Sequence, residues 1–168
     1  MLPTTDATPN TATPTLPRKA KPMSTSIAPE IAELVACGSL EMGAHRPADA
    51  AKIAKLLPSG TPVYVNHLPR HALAETLRAL FAVREAGLEP VPHIAARRVT
   101  SAAEIESFLM RAVRAAGVSK VLLIGGDTTA PEGPYADVAS LLSTGVLAST
   151  GVREVGFAGF PEGHPRVA

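Results

Sequence analysis

Five strand-like apolar runs alternate with helical patterns between residues 27 and 168, and this alternation constrains the fold more than any other feature. The runs predicted as strands are Ser39–Gly43, Thr61–Asn66, Pro90–His93, Val118–Ile124 and Arg153–Ala158. The fourth run is apolar on both faces, which is typical of a buried parallel strand. Strands that alternate with helices in this way predict a parallel sheet covered by helices.

The segments between these runs carry apolar residues at helical spacing. Leu73, Leu77 and Leu80 recur along one face of a helix that we expect to end at Gly87. Ser101 and Glu104 have the spacing of a capping box and predict the start of a second long helix. The remaining helices are predicted over residues 27–35, 47–57 and 135–146.

Two architectures accommodate five β/α steps: an open, doubly wound sheet, and the first five units of a (β/α)8 TIM barrel. Periodicity does not separate them. The sequence stops at Pro165–Ala168, directly after the fifth run, where a complete doubly wound domain usually closes with a helix. We therefore expect an α/β fold of the parallel (β/α)8 TIM-barrel type, truncated after about five β/α units. Whether the 168 residues are a fragment or a complete gene product stays open.

Residues 1–26 differ in composition from the rest of the chain. Prolines recur every few residues among threonines, with almost no side chains to bury, so we expect a disordered tail at 1–26 and one domain at 27–168. The bases Arg18, Lys19 and Lys21 precede no apolar stretch, which argues against a secretory signal. Met23 is an alternative start to Met1.

Composition narrows the classes of partner. Lys and Arg total 16 against 15 Asp and Glu, a formal charge of +1 that argues against a strongly electrostatic nucleic-acid binder. The single cysteine, Cys37, cannot form an internal disulfide. No apolar run approaches the length of about 18 residues expected of a membrane span. These features predict a cytoplasmic protein with neither nucleic acid nor membrane as a partner.

Polar residues follow each of the five predicted strands. In either architecture the ligand site lies at the carboxyl ends of the strands. Those ends carry, in chain order, Glu41, Asn66 with His67, His93, Gly125-Gly126-Asp127, and the segment from Phe160 to His164. The sequence therefore predicts a site at this edge of the sheet.

Each of these residues has a structural alternative. Gly125 and Gly126 would allow a ligand to approach the backbone and Asp127 would accept hydrogen bonds, but a tight turn with an N-capping Asp127 has the same sequence. His93 could contact a phosphate or an aromatic ring, or it could be a core histidine. Glu41 lies between apolar neighbours, where burial would favour the protonated carboxyl and suit it to general acid catalysis; the alternative is a charge at a frayed strand end.

A metal site is a less favoured interpretation. His93, Asp127 and His164 have the composition of a two-His-one-carboxylate set, but each follows a different strand and the spacing is not specific. We expect no metal. His45, His71 and Cys37 are predicted to have no functional role.

Residues 38–167 resemble the methylenetetrahydrofolate reductase family of flavin-dependent β/α barrels. The resemblance is strongest in Val121-Leu-Leu-Ile-Gly-Gly-Asp127, in Tyr135-Ala136, and in Gly156-Phe-Ala-Gly-Phe-Pro-Glu-Gly-His-Pro165. The family pattern there is an apolar strand with Arg-Gly-Asp, a Tyr-Ala pair opening the next helix, and a strand ending in Tyr-Pro-Glu-x-His-Pro. A histidine at the end of the third strand, here His93, also matches.

The resemblance implies reduction of 5,10-methylenetetrahydrofolate to 5-methyltetrahydrofolate, with NADH or NADPH as reductant and FAD as cofactor. It implies a catalytic role for Glu41, which would assist protonation of the folate, and for Asp127, which would lie near the flavin ring and the folate. The positions that it assigns to the FAD site are His93, Gly126, Asp127, Tyr135, Ala136, His164 and Phe160, the last in place of the family's Tyr.

The chain departs from the family pattern at four places. Met42-Gly43-Ala44-His45 replaces an aromatic and proline-rich segment, Gly125 replaces an arginine, and Asn66-His67 replaces a Thr-Tyr pair. Strands six to eight of the barrel have no counterpart in these 168 residues. An inactive or binding-only partial barrel and a compact flavodoxin-like module are therefore the alternatives. The unpaired edges of an open half-barrel would also invite homo-oligomerisation.

Overall fold

The structure of the chain, a computed structural model, describes residues 27–67 and 72–158. The chain divides into two units, residues 1–35 and residues 36–168. Helix α1 (Ile27–Ala36) confirms the helix predicted over residues 27–35. The tail predicted at 1–26 lies outside the described residues.

The second unit contains an all-parallel sheet of five strands. Its strands are β1 (Leu40–Gly43), β2 (Pro62–Asn66), β3 (Glu89–Ala95), β4 (Lys120–Ile124) and β5 (Glu154–Phe157). Its helices are α2 (Asp49–Ile53), α3 (Leu73–Glu85), α4 (Ala102–Ala116), α5 (Val138–Leu142) and α6 (Val146–Thr150). The predicted α/β class with a parallel sheet is confirmed, and the strands lie side by side in the order β1-β2-β3-β4-β5.

The two faces of the sheet differ in burial. Alternate residues of β2 and β4, such as Val63 and Val121, are fully buried in one core with apolar residues of α3 and α4. Helix α3 contacts both α2 and α4, and α4 contacts α6, so these helices form one row. Tyr64 and Leu122, which point to the opposite face, are only half-buried. At β2 and β4 that second face, called the accessible face below, is the more exposed one, whereas β3 is buried on both faces.

Strand register decides which polar residues share the accessible face. Glu41 pairs with Tyr64, and Tyr64 pairs with Val91, two residues before His93. Because side chains alternate along a strand, Glu41, Tyr64 and His93 project from the same face of the sheet.

The helix predicted over residues 135–146 is wrong, because two short helices occupy this region. Asp137 caps α5 in a complete capping box with Ser140, so the helix starts after Tyr135 rather than at it. Gly145, whose φ is 72°, interrupts the helical conformation between α5 and α6. A left-handed residue of this kind interrupts a helix, and glycine adopts it without a steric penalty.

Two other local predictions need correction. Ser101 caps α4 by accepting a hydrogen bond from the Glu104 amide at 3.1 Å, but the Glu104 carboxylate accepts from the Thr100 amide rather than closing a capping box. The helix predicted over residues 47–57 is regular only over Asp49–Ile53, and single turns continue it to Leu57. The predicted end of α3 is confirmed, with Gly87 at a φ of 79°.

Among the helices that the structure describes, none has the length and apolar character needed to cross a bilayer.

Candidate functional site

The ends of β1 and β2 are tied together by Asn66. Its side-chain amide donates to Glu41 Oε1 at 3.2 Å, and its Oδ1 accepts from the Ala44 backbone amide at 3.3 Å. Glu41 is exposed, so of its two interpretations the structure favours a charge at a strand end over a buried carboxyl. The physical reason is its position: β1 is paired on one side only among the described residues.

His93 is buried at the end of β3, with 9% of its surface exposed. Its ring meets that of Tyr64 edge-on, with 5.7 Å between the ring centroids and 63° between the planes. Burial lowers the pKa of His93, and the negative charge of Glu41 opposes that shift in part. Burial therefore favours the neutral imidazole. The burial of His93 is that of a core histidine, and its contact with a phosphate or an aromatic ring of a ligand stays a prediction.

The turn after β4 packs closely on the end of β3. Gly126 has a φ of 93°, and a Cβ placed there would lie 3.4 Å from the Cβ of Ala95 and 3.7 Å from that of Arg97. A Cβ at Gly125 would meet no atom within 4 Å, so the space beside this residue is open. Asp127 is exposed. It caps none of the described helices, since the N-cap of α5 is Asp137.

Arg97, which the sequence did not single out, holds the long segment between β4 and α5. Its guanidinium donates to the carbonyls of Thr128 at 3.0 Å, Thr129 at 2.8 Å and Ala136 at 2.8 Å. Its backbone amide donates to the Gly125 carbonyl, also at 3.0 Å. No sequence pattern identifies such a residue, because all of its partners are backbone carbonyls, which every residue possesses.

Arg98, the next residue, is buried against the same segment. Its Nη1 donates to the His67 carbonyl at 3.2 Å, which connects the end of β2 to the β3 side of the site. Its Nε lies 3.5 Å from Glu132 Oε1. The two arginines therefore connect three consecutive strand ends.

Among the described residues, the structure brings together some of those that the resemblance assigns to FAD. His93 lies on the same face as the catalytic candidate Glu41, and Gly126 with Asp127 lies in the turn after the adjacent strand. Tyr135 is 4% exposed and belongs to the hydrophobic core, so its ring is packed rather than presented at the surface. Ala136 is exposed, and its carbonyl accepts a hydrogen bond from Arg97. Phe160 and His164 lie outside the described residues.

A cavity of about 560 Å³ lies beside Glu41, between β1, β2 and the region of α2. Its lining includes Glu41, Gly43 and Asn66 from the strands and Arg46, Lys52 and Ile53 from the α2 side. Lys52 is engaged in an exposed ion pair with Asp49 at 2.7 Å. The Glu41 carboxylate therefore lines a cavity large enough for a small ligand, and the other lining side chains are both charged and apolar.

Within the described ranges, no three His, Cys, Asp or Glu side chains are grouped closely enough to hold a metal ion. The trio of His93, Asp127 and His164 is not assembled there, since His164 falls outside those ranges. Cys37 is an exposed free thiol, and His71 is also outside the described residues.

A comparison with models of known protein families finds none that matches the chain.

Proposed function

We propose that residues 36–168 are the first five β/α units of a (β/α)8 barrel of the methylenetetrahydrofolate reductase type. The protein would reduce 5,10-methylenetetrahydrofolate to 5-methyltetrahydrofolate with NADH or NADPH through FAD. The observation that carries the proposal is the strand order β1-β2-β3-β4-β5. Barrel strands follow one another in chain order, whereas doubly wound sheets contain a reversal, as in the flavodoxin-like order 2-1-3-4-5.

This order supports the function because it places the candidate residues at neighbouring strand ends. Glu41 and His93 share the accessible face and interact electrostatically, and the Gly125-Gly126-Asp127 turn follows on the next strand. In a barrel, the side chains that perform the reaction come from the carboxyl ends of several strands.

The residues at these ends are compatible with a flat aromatic cofactor. The open space at Gly125 and the positive φ of Gly126 would let a ring lie against the backbone. His93 would contact it as a neutral imidazole, and the exposed Asp127 would accept a hydrogen bond from it. When bound, FAD would supply the acceptor for hydride from the nicotinamide and the donor of hydride to the folate.

The resemblance and the position of Glu41 beside the cavity suggest that it donates a proton to the substrate. Its carboxyl is exposed beside the cavity, and the hydrogen bond from Asn66 fixes its orientation. Protonation of the folate by Glu41 would open the bridging methylene to an iminium that can accept hydride. Asn66 would act as a positioning residue, because it also anchors the chain after β1.

Burial of the Tyr135 ring favours a second candidate, a partial barrel that binds a ligand without turnover. Tyr135 is packed in the core, and Gly125 stands where the family has arginine. Both features remove contacts that the resemblance would give to the flavin.

The two half-reactions test the proposal. In a protein that carries the complete barrel, we expect Glu41→Gln to leave flavin reduction by NAD(P)H within about twofold while slowing reoxidation by methylenetetrahydrofolate about 10²-fold or more. The five units alone are expected to bind FAD poorly, because they lack three of the eight strand ends that would hold it. Glu106→Gln, an exposed carboxylate on α4, is the matched control and should change neither rate. Equal losses in both half-reactions would mean that Glu41 is structural. Ligand binding without flavin reduction would favour the second candidate.

A further inference from the structure

We propose that Arg98 is the anchor of an oxyanion site at the carboxyl ends of β3 and β4, which takes a phosphate group in place of the Glu132 carboxylate. This inference goes beyond the flavoprotein proposal, since it concerns this chain's affinity for phosphate and requires neither FAD nor folate.

The first observation is that Arg98 is a buried cation with few partners. The residue is 8% exposed. A guanidinium carries five N–H donors, yet the hydrogen bond that this one makes is from Nη1 to the His67 carbonyl. Nε is buried and has no hydrogen-bond partner among the described residues. Buried charges are normally paired and hydrogen-bonded, because desolvation is otherwise uncompensated.

The second observation is that the counterion of Arg98 is loosely placed. Glu132 Oε1 lies 3.5 Å from Nε, and the Glu132 side chain is 45% exposed. Charge-assisted hydrogen bonds between such groups are about 2.7–2.9 Å long. The Glu132 backbone is held independently, because its amide donates to the Arg97 carbonyl at 2.7 Å. The carboxylate can therefore turn out to solvent without movement of the main chain.

The third observation is that the segment after β4 lies against Arg98 and carries a second buried polar group. Gly126 packs on the Arg98 stem, where a Cβ would lie 3.9 Å from Arg98 Cγ. The Thr128 hydroxyl is buried without a hydrogen-bond partner on the same segment. A phosphate offers several acceptor oxygens and pairs well with the planar donors of arginine. Its oxygens would give the Arg98 guanidinium close acceptors, which the Glu132 oxygen at 3.5 Å does not.

Three ligands distinguish a site for the free anion from a site for the phosphate of a nucleotide. The chain is titrated with inorganic phosphate, pyrophosphate and ADP by calorimetry at constant ionic strength, with chloride as the reference anion. Saturable binding of phosphate and pyrophosphate alike indicates a site for the free anion. Binding that is at least about tenfold tighter for ADP indicates a site for a nucleotide phosphate. The absence of saturable binding by all three would overturn the proposal.

Substitutions of Arg98 and of Glu132 should change the affinity for phosphate in opposite directions. Arg98→Lys keeps the charge but loses the planar donor set, and it should weaken phosphate binding about tenfold or more. Arg111→Gln, an exposed arginine on α4, is the matched control and should leave binding unchanged. Glu132→Gln removes the competing carboxylate and should tighten binding severalfold.

Glu132→Gln keeps the test decisive if the Arg98 variant does not fold, because Glu132 is half exposed. Unchanged or weaker binding in Glu132→Gln would overturn the proposal, as would equal losses in Arg98→Lys and Arg111→Gln. Phosphate binding by this chain would support the phosphate site whether or not the chain binds FAD, so the result is independent of the flavoprotein proposal.

Discussion

At the scale of single residues, His93 is under two opposing influences. Burial lowers its pKa from the ordinary value of 6.5, and the charge of Glu41 raises it in part. Because the pKa is lower in the folded protein than in the unfolded chain, the unfolded chain takes up a proton first as the pH falls. The stability that neutral His93 confers is thus complete above about pH 6.5 and is lost as the pH falls through the folded pKa.

Glu41→Gln is expected to lower the pKa of His93 further, because the substitution removes the charge that partly offsets burial. The His93 ring resonances, followed by NMR through a pH titration, give this pKa directly. Glu106→Gln on the exposed face of α4 should leave the titration unchanged. A pKa that rises in Glu41→Gln, or an equal shift in both variants, would show that Glu41 does not act on His93 through its charge.

At the scale of elements, the segment between β4 and α5 is held by the β3 side rather than by regular structure of its own. The Arg97 guanidinium donates hydrogen bonds to three carbonyls of this segment. Gly133 lies so close to the Val99 and Thr100 backbone that a Cβ there would clash with the Val99 carbonyl. The position of the Gly125-Gly126-Asp127 turn therefore depends on residues outside the turn.

Arg97→Met should release this segment. Loss of three hydrogen bonds from a partly exposed guanidinium is expected to cost about 1–3 kcal/mol. Amide hydrogen exchange of residues 128–136 should accelerate more than that of the α3 and α4 core. Arg84→Met is the matched control, since Arg84 donates to the carbonyls of Ala116 and Gly117 instead. Acceleration of the same amides in Arg84→Met would mean that exchange reports global rather than local opening.

At the scale of the whole molecule, β1 and β5 are each paired on one side among the described residues. Each carries an exposed apolar side chain, Leu40 at 41% and Phe157 at 60%. Unpaired strand edges with apolar residues promote pairing between chains.

We expect concentration-dependent self-association that involves these two edges. Sedimentation analysis should show a larger monomer fraction for Leu40→Lys and for Phe157→Lys, because a charge opposes strand pairing at an edge. Leu56→Lys is the control, since Leu56 is 83% exposed but follows α2 rather than lying in the sheet. A monomer at all concentrations, or an equal effect of Leu56→Lys, would contradict this prediction.

The elements were more predictable than the site. The Leu73, Leu77 and Leu80 spacing and the apolar run before Gly125 are local signals, and both predicted elements are confirmed. The prediction of one long helix over residues 135–146 is wrong because Asp137 caps the start of α5 and Gly145 interrupts the helical conformation before α6. The sequence left open whether Glu41 is buried or exposed, since this depends on which strands flank β1.

The sequence by itself determined the alternation of strands and helices and the parallel sheet, because periodicity, caps and turn glycines act over a few residues. It also identified the residues at the strand ends. Only the tertiary structure decided that the strands lie in chain order, that Asn66 orients Glu41, and that Glu41 acts on His93. The tertiary structure alone showed that Arg97 and Arg98 contact the segment after β4. Those pairings join residues about 25 or more positions apart, often through backbone carbonyls, and no local pattern records them.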